Sequence, residues 1–482
     1  MKYVSTRGAT AQMTFSEVLL RGLAPDGGLM VPAEYPRVDA LTLDQWRRMS
    51  YGELAFQIMR LYADDIPESD LRYLIDQSYN ADTFRSPEIT PLKPLKGDMW
   101  LLGLSEGPTM AFKDVAMQFL GNAFEYVLTK NKWVLNIIGA TSGDTGSSAE
   151  YALRGKNAVQ VFMLSPNGRM SPFQAAQMYS LDEPNIFNIA VNGTFDDCQD
   201  IVKDITNNQI FRVEYRIGNI NSINWGRVMA QIVYYFKGYF AATENGAERV
   251  SFAVPSGNFG DVLAGHAARM MGLPISRLMV CTNENDVLDE FFTTGEYRPR
   301  SSREVRTTSS PSMDIAKASN LERFVFDLTG RDHAEVKTMW SQVEAGKGFE
   351  LKQDLFELMS SKFGFVSGRT SHKQRLAAIR KLHEECGIVI DPHTATGVIV
   401  AQRLKRPGEK VICLETALPQ KFEKTVREAL GQDFELEQDP RWVGVMDKKQ
   451  KVTVMPADSA AIRMHIKGVL DKQREEAKNK GR

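Results

Sequence analysis

The sequence predicts an α/β protein with at least one mostly parallel sheet, and two observations carry that prediction. Short apolar runs recur along the chain: Val134 to Ile138, Val159 to Leu164, Val250 to Val254, Leu278 to Cys281 and Val411 to Leu414. Glycine-rich turns and then helix-like stretches follow them repeatedly, which is how buried parallel strands with crossover helices are written.

The elements follow in order. From Thr14 to about Tyr79 the chain reads as short helices, with Leu54, Ile58, Leu61 and Tyr62 at helical spacing after Gly52 and the turn Ala24-Pro25-Asp26-Gly27-Gly28 between two segments; no strand alternation competes there. Pro87, Pro91 and Pro94 mark a boundary, because proline forces extended backbone on itself and on its predecessor. After Lys113 a helix is expected with Ala116, Leu120, Phe124, Val127 and Leu128 on one face and Asn122 and Glu125 off it. From Thr293 to Pro311 the chain is polar, a long surface excursion. The stretch from Asp471 to Arg482 carries mixed charge and reads as a frayed, solvated helix end.

Composition narrows the function. The 482 residues are enough for two to four domains. With 59 Lys+Arg against 60 Asp+Glu the formal charge is −1, which supplies no cationic field for coating nucleic acid or an anionic membrane. Cys198, Cys281, Cys386 and Cys413 lie far apart and form no C-x-x-C pair, so reduced, buried thiols are expected rather than disulfides or a zinc site. No apolar run approaches the roughly 18 residues of a membrane helix and no signal-peptide core is visible, so a soluble, cytoplasmic protein is expected.

Four segments look unlike scaffold. In Gly107-Pro108-Thr109-Met110-Ala111-Phe112-Lys113-Asp114 a lysine sits among apolar neighbours at a helix start. Burial lowers an amine's pKa and makes it a nucleophile able to form a Schiff base, although an ordinary surface lysine at a helix start looks the same in sequence. Gly139-Ala140-Thr141-Ser142-Gly143-Asp144-Thr145-Gly146 is a strand-to-helix turn whose free N–H groups suit a carboxylate or phosphate. Pro255-Ser256-Gly257-Asn258-Phe259-Gly260-Asp261 repeats that logic, with Asp261 alternatively a simple helix cap. Finally Cys413-Leu414-Glu415-Thr416-Ala417-Leu418-Pro419 ends a strand in a hydroxyl, at the edge where open α/β sheets collect ligands.

Together with Asp391-Pro392-His393-Thr394-Ala395-Thr396-Gly397, Leu23-Ala24-Pro25-Asp26-Gly27-Gly28-Leu29 and Asn221-Ser222-Ile223-Asn224-Trp225-Gly226-Arg227, these motifs resemble threonine synthase, a pyridoxal-phosphate enzyme of fold type II, from about residue 5 to about residue 430. The resemblance implies two parallel-sheet lobes and an additional helical N-terminal unit. The expected domains are 1–90, helical; 91–430, catalytic, with a smaller lobe at about 130–250 and a larger one from 91–129 and 251–430; and 431–482, a charged C-terminal extension.

The resemblance also implies roles. Lys113 matches the family's Schiff-base lysine. Gly257, Asn258, Phe259, Gly260 and Asp261 match the loop that holds the phosphate of pyridoxal 5'-phosphate. Asp144, with Thr141 and Ser142, lies in the loop that faces the ring hydroxyl and the substrate carboxylate, and Thr416 matches the hydroxyl that bonds the pyridine nitrogen. Asn224 and Arg227 match positions suited to the substrate phosphate. The implied reaction is conversion of O-phospho-L-homoserine and water to L-threonine and phosphate, by a monomer or homodimer without metal. Where the family commonly has Thr-Ala-His-Pro, this chain has Thr416-Ala417-Leu418-Pro419. That departure keeps open a phospho-lyase that releases 2-oxobutyrate; a non-catalytic sensor of the same fold is a further alternative.

Overall fold

The computed structural model describes residues 1–218 and 223–480. Asn221 and Ser222 of the 221–227 motif, and Gly481 and Arg482 at the end of the charged tail, lie outside the described residues. Contacts group the chain into two compact units, Met1–Leu120 with Ser222–Asp439, and Gly121–Asn221 with Pro440–Arg482. The strands in chain order are β1 (Tyr3–Ser5), β2 (Met30–Pro32), β3 (Leu92–Leu95), β4 (Met99–Gly103), β5 (Leu135–Ala140), β6 (Val159–Pro166), β7 (Ile186–Asn192) and β8 (Ile217–Gly218). Then come β9 (Val250–Pro255), β10 (Ile275–Thr282), β11 (Glu296–Tyr297), β12 (Phe349–Glu350), β13 (Phe365–Arg369), β14 (Lys410–Glu415) and β15 (Thr453–Pro456).

The first unit is built on a six-stranded sheet of order β13-β10-β9-β14-β4-β3, parallel except for β3. Its inner strands β9, β14 and β4 are mostly apolar and buried, as burial on both faces requires, whereas the edge strands β3 and β13 carry polar, partly exposed residues. On one face Leu101, Ala253, Met279, Cys281 and Cys413 pack with Ile379, Leu382, Val398 and Ala401 of the helices His372–Cys386 and Pro392–Leu404. All five apolar runs expected to be strands are strands, as β5, β6, β9, β10 and β14.

Two features of the N-terminal stretch differ from expectation. β1 and β2 pair antiparallel; three residues each is too short to display alternation, so no periodic signal exists for them. The N-terminal helices also cluster with the first unit rather than standing apart. The helix Tyr51–Met59 packs on the helix Trp225–Ala242, and Arg47 Nη1 donates to the carbonyls of Phe240 (3.2 Å) and Thr243 (2.7 Å) at that helix's end. The polar excursion is partly fastened: the Asp314 carboxylate accepts from Asn283 Nδ2 at 2.8 Å, from Asn285 Nδ2 at 2.9 Å and from Thr308 Oγ1 at 2.7 Å.

The second unit is a five-stranded sheet of order β15-β7-β6-β5-β8, parallel throughout. Its outer strand β15 comes from the C-terminal segment, so that segment is part of a sheet as well as a charged tail. The helix Ser459–Lys480 then buries Ile462, Ile466 and Leu470 against Cys198, Ile201 and Ile205. The four cysteines are free thiols. Among the described residues no helix is long and apolar enough to cross a membrane.

Because Ile466 is fully buried, Ile466→Ala is expected to cost about 2–5 kcal/mol. Met464→Ala, on the 63% exposed face of the same helix, should stay within about 0.5 kcal/mol, as urea unfolding midpoints of the two variants will show.

Candidate active site

Three of the expected segments follow three adjacent parallel strands. The Gly257–Asp261 turn follows β9, Thr416 follows β14, and the loop to Lys113 follows β4; in the sheet these strands lie side by side in that order. At a spacing of about 4.8 Å per strand, the outer two are roughly 10 Å apart, with Thr416 between the turn and the lysine loop. The carboxyl edge of a parallel sheet is where such folds bind ligands.

Backbone hydrogen bonds tie the lysine loop to the neighbouring strand end. Phe112 N–H donates to the Thr416 carbonyl at 2.9 Å, and Leu418 N–H donates to the Met110 carbonyl at 3.2 Å, an isolated antiparallel bridge centred on Ala111 and Ala417. Met110 adopts φ +56°, a left-handed conformation unusual for a non-glycine residue. Buried Asp114 closes the loop, accepting from Thr109 N–H and Thr109 Oγ1, both at 2.7 Å. Buried Lys421 donates from Nζ to the Thr109 carbonyl at 2.9 Å. Lys113 opens the helix Lys113–Lys130, half-buried, with Nζ 5.8 Å from the centroid of the Phe112 ring.

The turn after β9 is formed for an anion. Phe259 adopts φ +63° at the N-terminus of the helix Gly260–Met271, the end where backbone N–H groups and the helix dipole favour negative charge. A Cβ on Gly257 would sit 2.9 Å from the Ser312 carbonyl oxygen, so only glycine fits against that wall. Ser312 N–H in turn donates to His393 Nε2 at 3.1 Å, which makes that nitrogen an acceptor and puts the ring proton on Nδ1, donated to Asp391 Oδ2 at 2.6 Å. The Asn258 carbonyl accepts from Asn320 N–H at 3.0 Å and Asn320 Nδ2 at 3.1 Å.

Asp261 is more than a cap. Its Oδ1 accepts from the hydroxyls of Tyr234 and Tyr235, which the Trp225–Ala242 helix presents, and Tyr235 also donates to its main-chain carbonyl at 2.9 Å. Burial pushes its carboxyl up from 3.8 to about 7, against the lowering effect of those two hydroxyls.

Asn224 caps the Trp225–Ala242 helix: Oδ1 accepts from Gly226 N–H at 2.9 Å, and Nδ2 donates to the Leu19 carbonyl at 2.7 Å. Arg227 lies on the same helix, 5% exposed, with Nη1 lacking a hydrogen-bond partner among the described residues. Burial lowers its guanidinium pKa to about 10, the nearby Tyr234 acting in the opposite sense. A buried guanidinium with an open donor suits a phosphorylated ligand.

Thr141, Ser142 and Asp144 belong to the second unit, after β5. Thr141 Oγ1 accepts from Gly143 N–H at 3.0 Å and Gly146 N–H at 2.9 Å, folding the turn around itself. Gly143 has φ +145°, and a Cβ there would lie 2.5 Å from Gln174 Nε2. That amide donates to Asp144 Oδ1 at 2.9 Å, leaving Ser142 exposed.

The sequence gives no local signal for Tyr234, Tyr235 or Asn320. His393 stands in a motif singled out from sequence, but its contact with Ser312 is long-range.

Comparison with known proteins gives the family. The profile described as pyridoxal-phosphate dependent enzyme matches residues 80–416, and the chain is an α/β enzyme of that class, with the type II fold. Profiles for the threonine synthase N terminus and C-terminal region match residues 2–79 and 394–466. The chain is 55% identical over 473 residues to threonine synthase of Methylobacillus glycogenes, covering 97% of this chain and 99% of the relative. The crystal structure of pyridoxal-phosphate-bound threonine synthase from Brucella melitensis superposes with TM-score 0.93 at 38% identity, over 97% of this chain and 99% of that one. The yeast threonine synthase structure gives 0.91 at 40%, over 98% and 99%. The chain belongs to the threonine synthase family.

Since a folded Asp261 holds its proton up to about 7 and an unfolded one releases it near 3.8, the folded chain binds more protons between those values. This group therefore lowers stability as pH rises through that window. Asp261→Asn should gain in melting temperature relative to wild type between pH 5 and pH 8; a difference independent of pH would contradict the assignment.

Proposed function

We propose that this chain converts O-phospho-L-homoserine and water into L-threonine and phosphate, with pyridoxal 5'-phosphate seated across the carboxyl edge of β9, β14 and β4. The observation that carries the reading is the order along that edge: an N–H-lined turn, a hydroxyl, then the lysine. A phosphorylated pyridine aldehyde needs those three groups within reach of one ring. Its phosphate would take the Gly257–Asp261 turn, its ring nitrogen the Thr416 hydroxyl, and its aldehyde carbon Lys113 Nζ. Bound there, the cofactor supplies an electron sink for negative charge developed at the substrate's Cα and beyond.

The chain's own groups do the rest. Lys113 Nζ would hold the cofactor, and as a free amine it would move protons at the substrate's Cα and Cβ. Thr416 offers a neutral partner, so it does not by itself hold the ring protonated. Arg227 binds the substrate phosphate, for which its open Nη1 donor is suited. Asn224, whose carboxamide is engaged at the helix start, sets the backbone that carries Arg227. Within the second unit Thr141 shapes the turn after β5, Ser142 exposes its hydroxyl, and Gln174 orients Asp144, groups suited to a substrate carboxylate and a ring hydroxyl. Water has to be kept from the cofactor linkage and admitted at Cβ, a demand that closure over the substrate meets. We place the enzyme in the cytoplasm, as a monomer or homodimer.

Lys113→Ala is expected to abolish both turnover and the absorbance of the lysine-linked cofactor; retained turnover would sink the assignment. With wild-type enzyme the product should be threonine, and 2-oxobutyrate as main product would identify a lyase instead. Arg227→Gln should raise KM for the phosphorylated substrate about 10- to 100-fold, the worth of one charge-assisted hydrogen bond.

A further inference from the structure

Arg323 is fully buried on the helix Leu321–Leu328, and each of its three nitrogens has a different partner. Nε donates to the Met30 carbonyl of β2 at 3.0 Å. Nη1 donates to Asn320 Oδ1 at 2.6 Å, and Nη2 to the Ile223 carbonyl at 2.5 Å. Its guanidinium carbon lies 5.6 Å from the centroid of the Trp225 ring. Ile223 immediately precedes the Asn224 cap of the helix that carries Arg227. Asn320, with its Oδ1 fixed by Arg323, presents Nδ2 and its own N–H to the Asn258 carbonyl. In a trans peptide C=O and N–H point to opposite sides. Pinning the Asn258 carbonyl therefore aims the Phe259 N–H the other way.

β2 is itself held in place by the Asp26-Gly27-Gly28 turn. Asp26 Oδ1 accepts from Gly28 N–H at 3.0 Å and Ser5 Oγ at 2.7 Å, while Thr6 Oγ1 accepts from Leu29 N–H at 2.9 Å. Gly27 has φ +82°, and a Cβ on Gly28 would meet Ser5 Oγ at 2.4 Å. Thr6 Oγ1 and Arg7 Nε bond Glu322 Oε1 at 2.6 and 3.0 Å, one residue before Arg323.

We propose that Arg323 is a positioning residue that sets, through one planar fork, both the peptide plane of the cofactor-phosphate turn and the start of the Arg227 helix, with the N-terminal β1–β2 ribbon as its third anchor. This rests on the reading of Gly257–Asp261 as the phosphate turn. A guanidinium suits the task because its donors are rigidly coplanar, whereas an ammonium cannot hold three such directions at once. It also gives the N-terminal turn motif a task at the site: holding the Met30 carbonyl that orients the fork.

The test uses purified holoenzyme and three readouts: the pyridoxal-phosphate dissociation constant, the ³¹P resonance of bound cofactor, and KM against kcat. Arg323→Met should weaken cofactor binding at least tenfold, move the ³¹P signal, and raise KM for the phosphorylated substrate. Asn320→Ala should reproduce the first two effects with a smaller change in KM, and Arg323→Lys should recover part of the loss. Arg331→Met is the control for a purely structural arginine, since Arg331 Nη1 donates to the carbonyls of Pro32 and Ala33 just beyond β2. It should lower the melting temperature and leave the ³¹P signal in place. If Arg323→Met folds with cofactor affinity and ³¹P shift within twofold of wild type, the proposal falls. Should that variant not fold, an Asn320→Ala enzyme with wild-type affinity and signal overturns it equally. Gly257→Val separates the two claims. Unchanged affinity in that variant defeats the phosphate-turn reading itself. Weakened affinity there, with Arg323→Met and Asn320→Ala unaffected, defeats only the role of Arg323.

Discussion

The pair of backbone hydrogen bonds between the Met110–Phe112 stretch and the end of β14 is the constraint on which the site depends. Phe112 N–H to Thr416 O and Leu418 N–H to Met110 O make the segment before Lys113 a short extra strand on the carboxyl edge of the sheet. Each bond contributes about 1 kcal/mol net, enough together to offset a strained Met110, whose left-handed backbone costs on the order of 1–3 kcal/mol. Their geometric consequence is larger than their energy. The first residue of the Lys113–Lys130 helix is held in register with Thr416, so nucleophile and hydroxyl cannot drift apart. Asp114, taking both donors of Thr109, and Lys421 Nζ on the Thr109 carbonyl close the loop from the other side.

Around this edge charge is used sparingly. The chain is almost neutral overall, and the groups suited to anions are backbone N–H donors and one buried guanidinium at Arg227. Asp261, the last residue of the Gly257–Asp261 turn, is held by two tyrosine hydroxyls and has its pKa raised by burial, which reduces its charge where a phosphate would be repelled by a full one. His393 Nε2 accepts from Ser312 N–H and so fixes the wall beside Gly257. Under the proposed function a small doubly anionic substrate would be met by local dipoles rather than by a cationic surface, in keeping with a nearly neutral chain.

The strands and turns were legible because each is encoded within a few neighbouring residues. β5, β6, β9, β10 and β14 are continuous apolar runs, and the turns after β5 and β9 carry the glycines that their backbones require. The roles of Lys113, Thr416, Asp144 and the Gly257–Asp261 turn came from the family resemblance rather than from local sequence alone. The short ribbon of β1 and β2 was not legible, since three residues carry no period. Nor was the role of the C-terminal segment: β15 joins the sheet against β7, more than 250 residues earlier in the chain, and its own four residues show no apolar run.

What the sequence by itself determined is the local chemistry: which residues form anion-ready turns, which lysine stands in an apolar context, and that the strands are parallel and buried. Only the tertiary structure decided that β9, β14 and β4 are adjacent, so that turn, hydroxyl and lysine fall in line. It also decided that Tyr234 and Tyr235 hold Asp261, and that Arg323 joins three segments distant in the chain. The physical reason is range. Backbone conformation and burial are set by near neighbours, whereas strand order and the partners of a buried donor depend on which distant segments pack together, and no window of sequence contains that information.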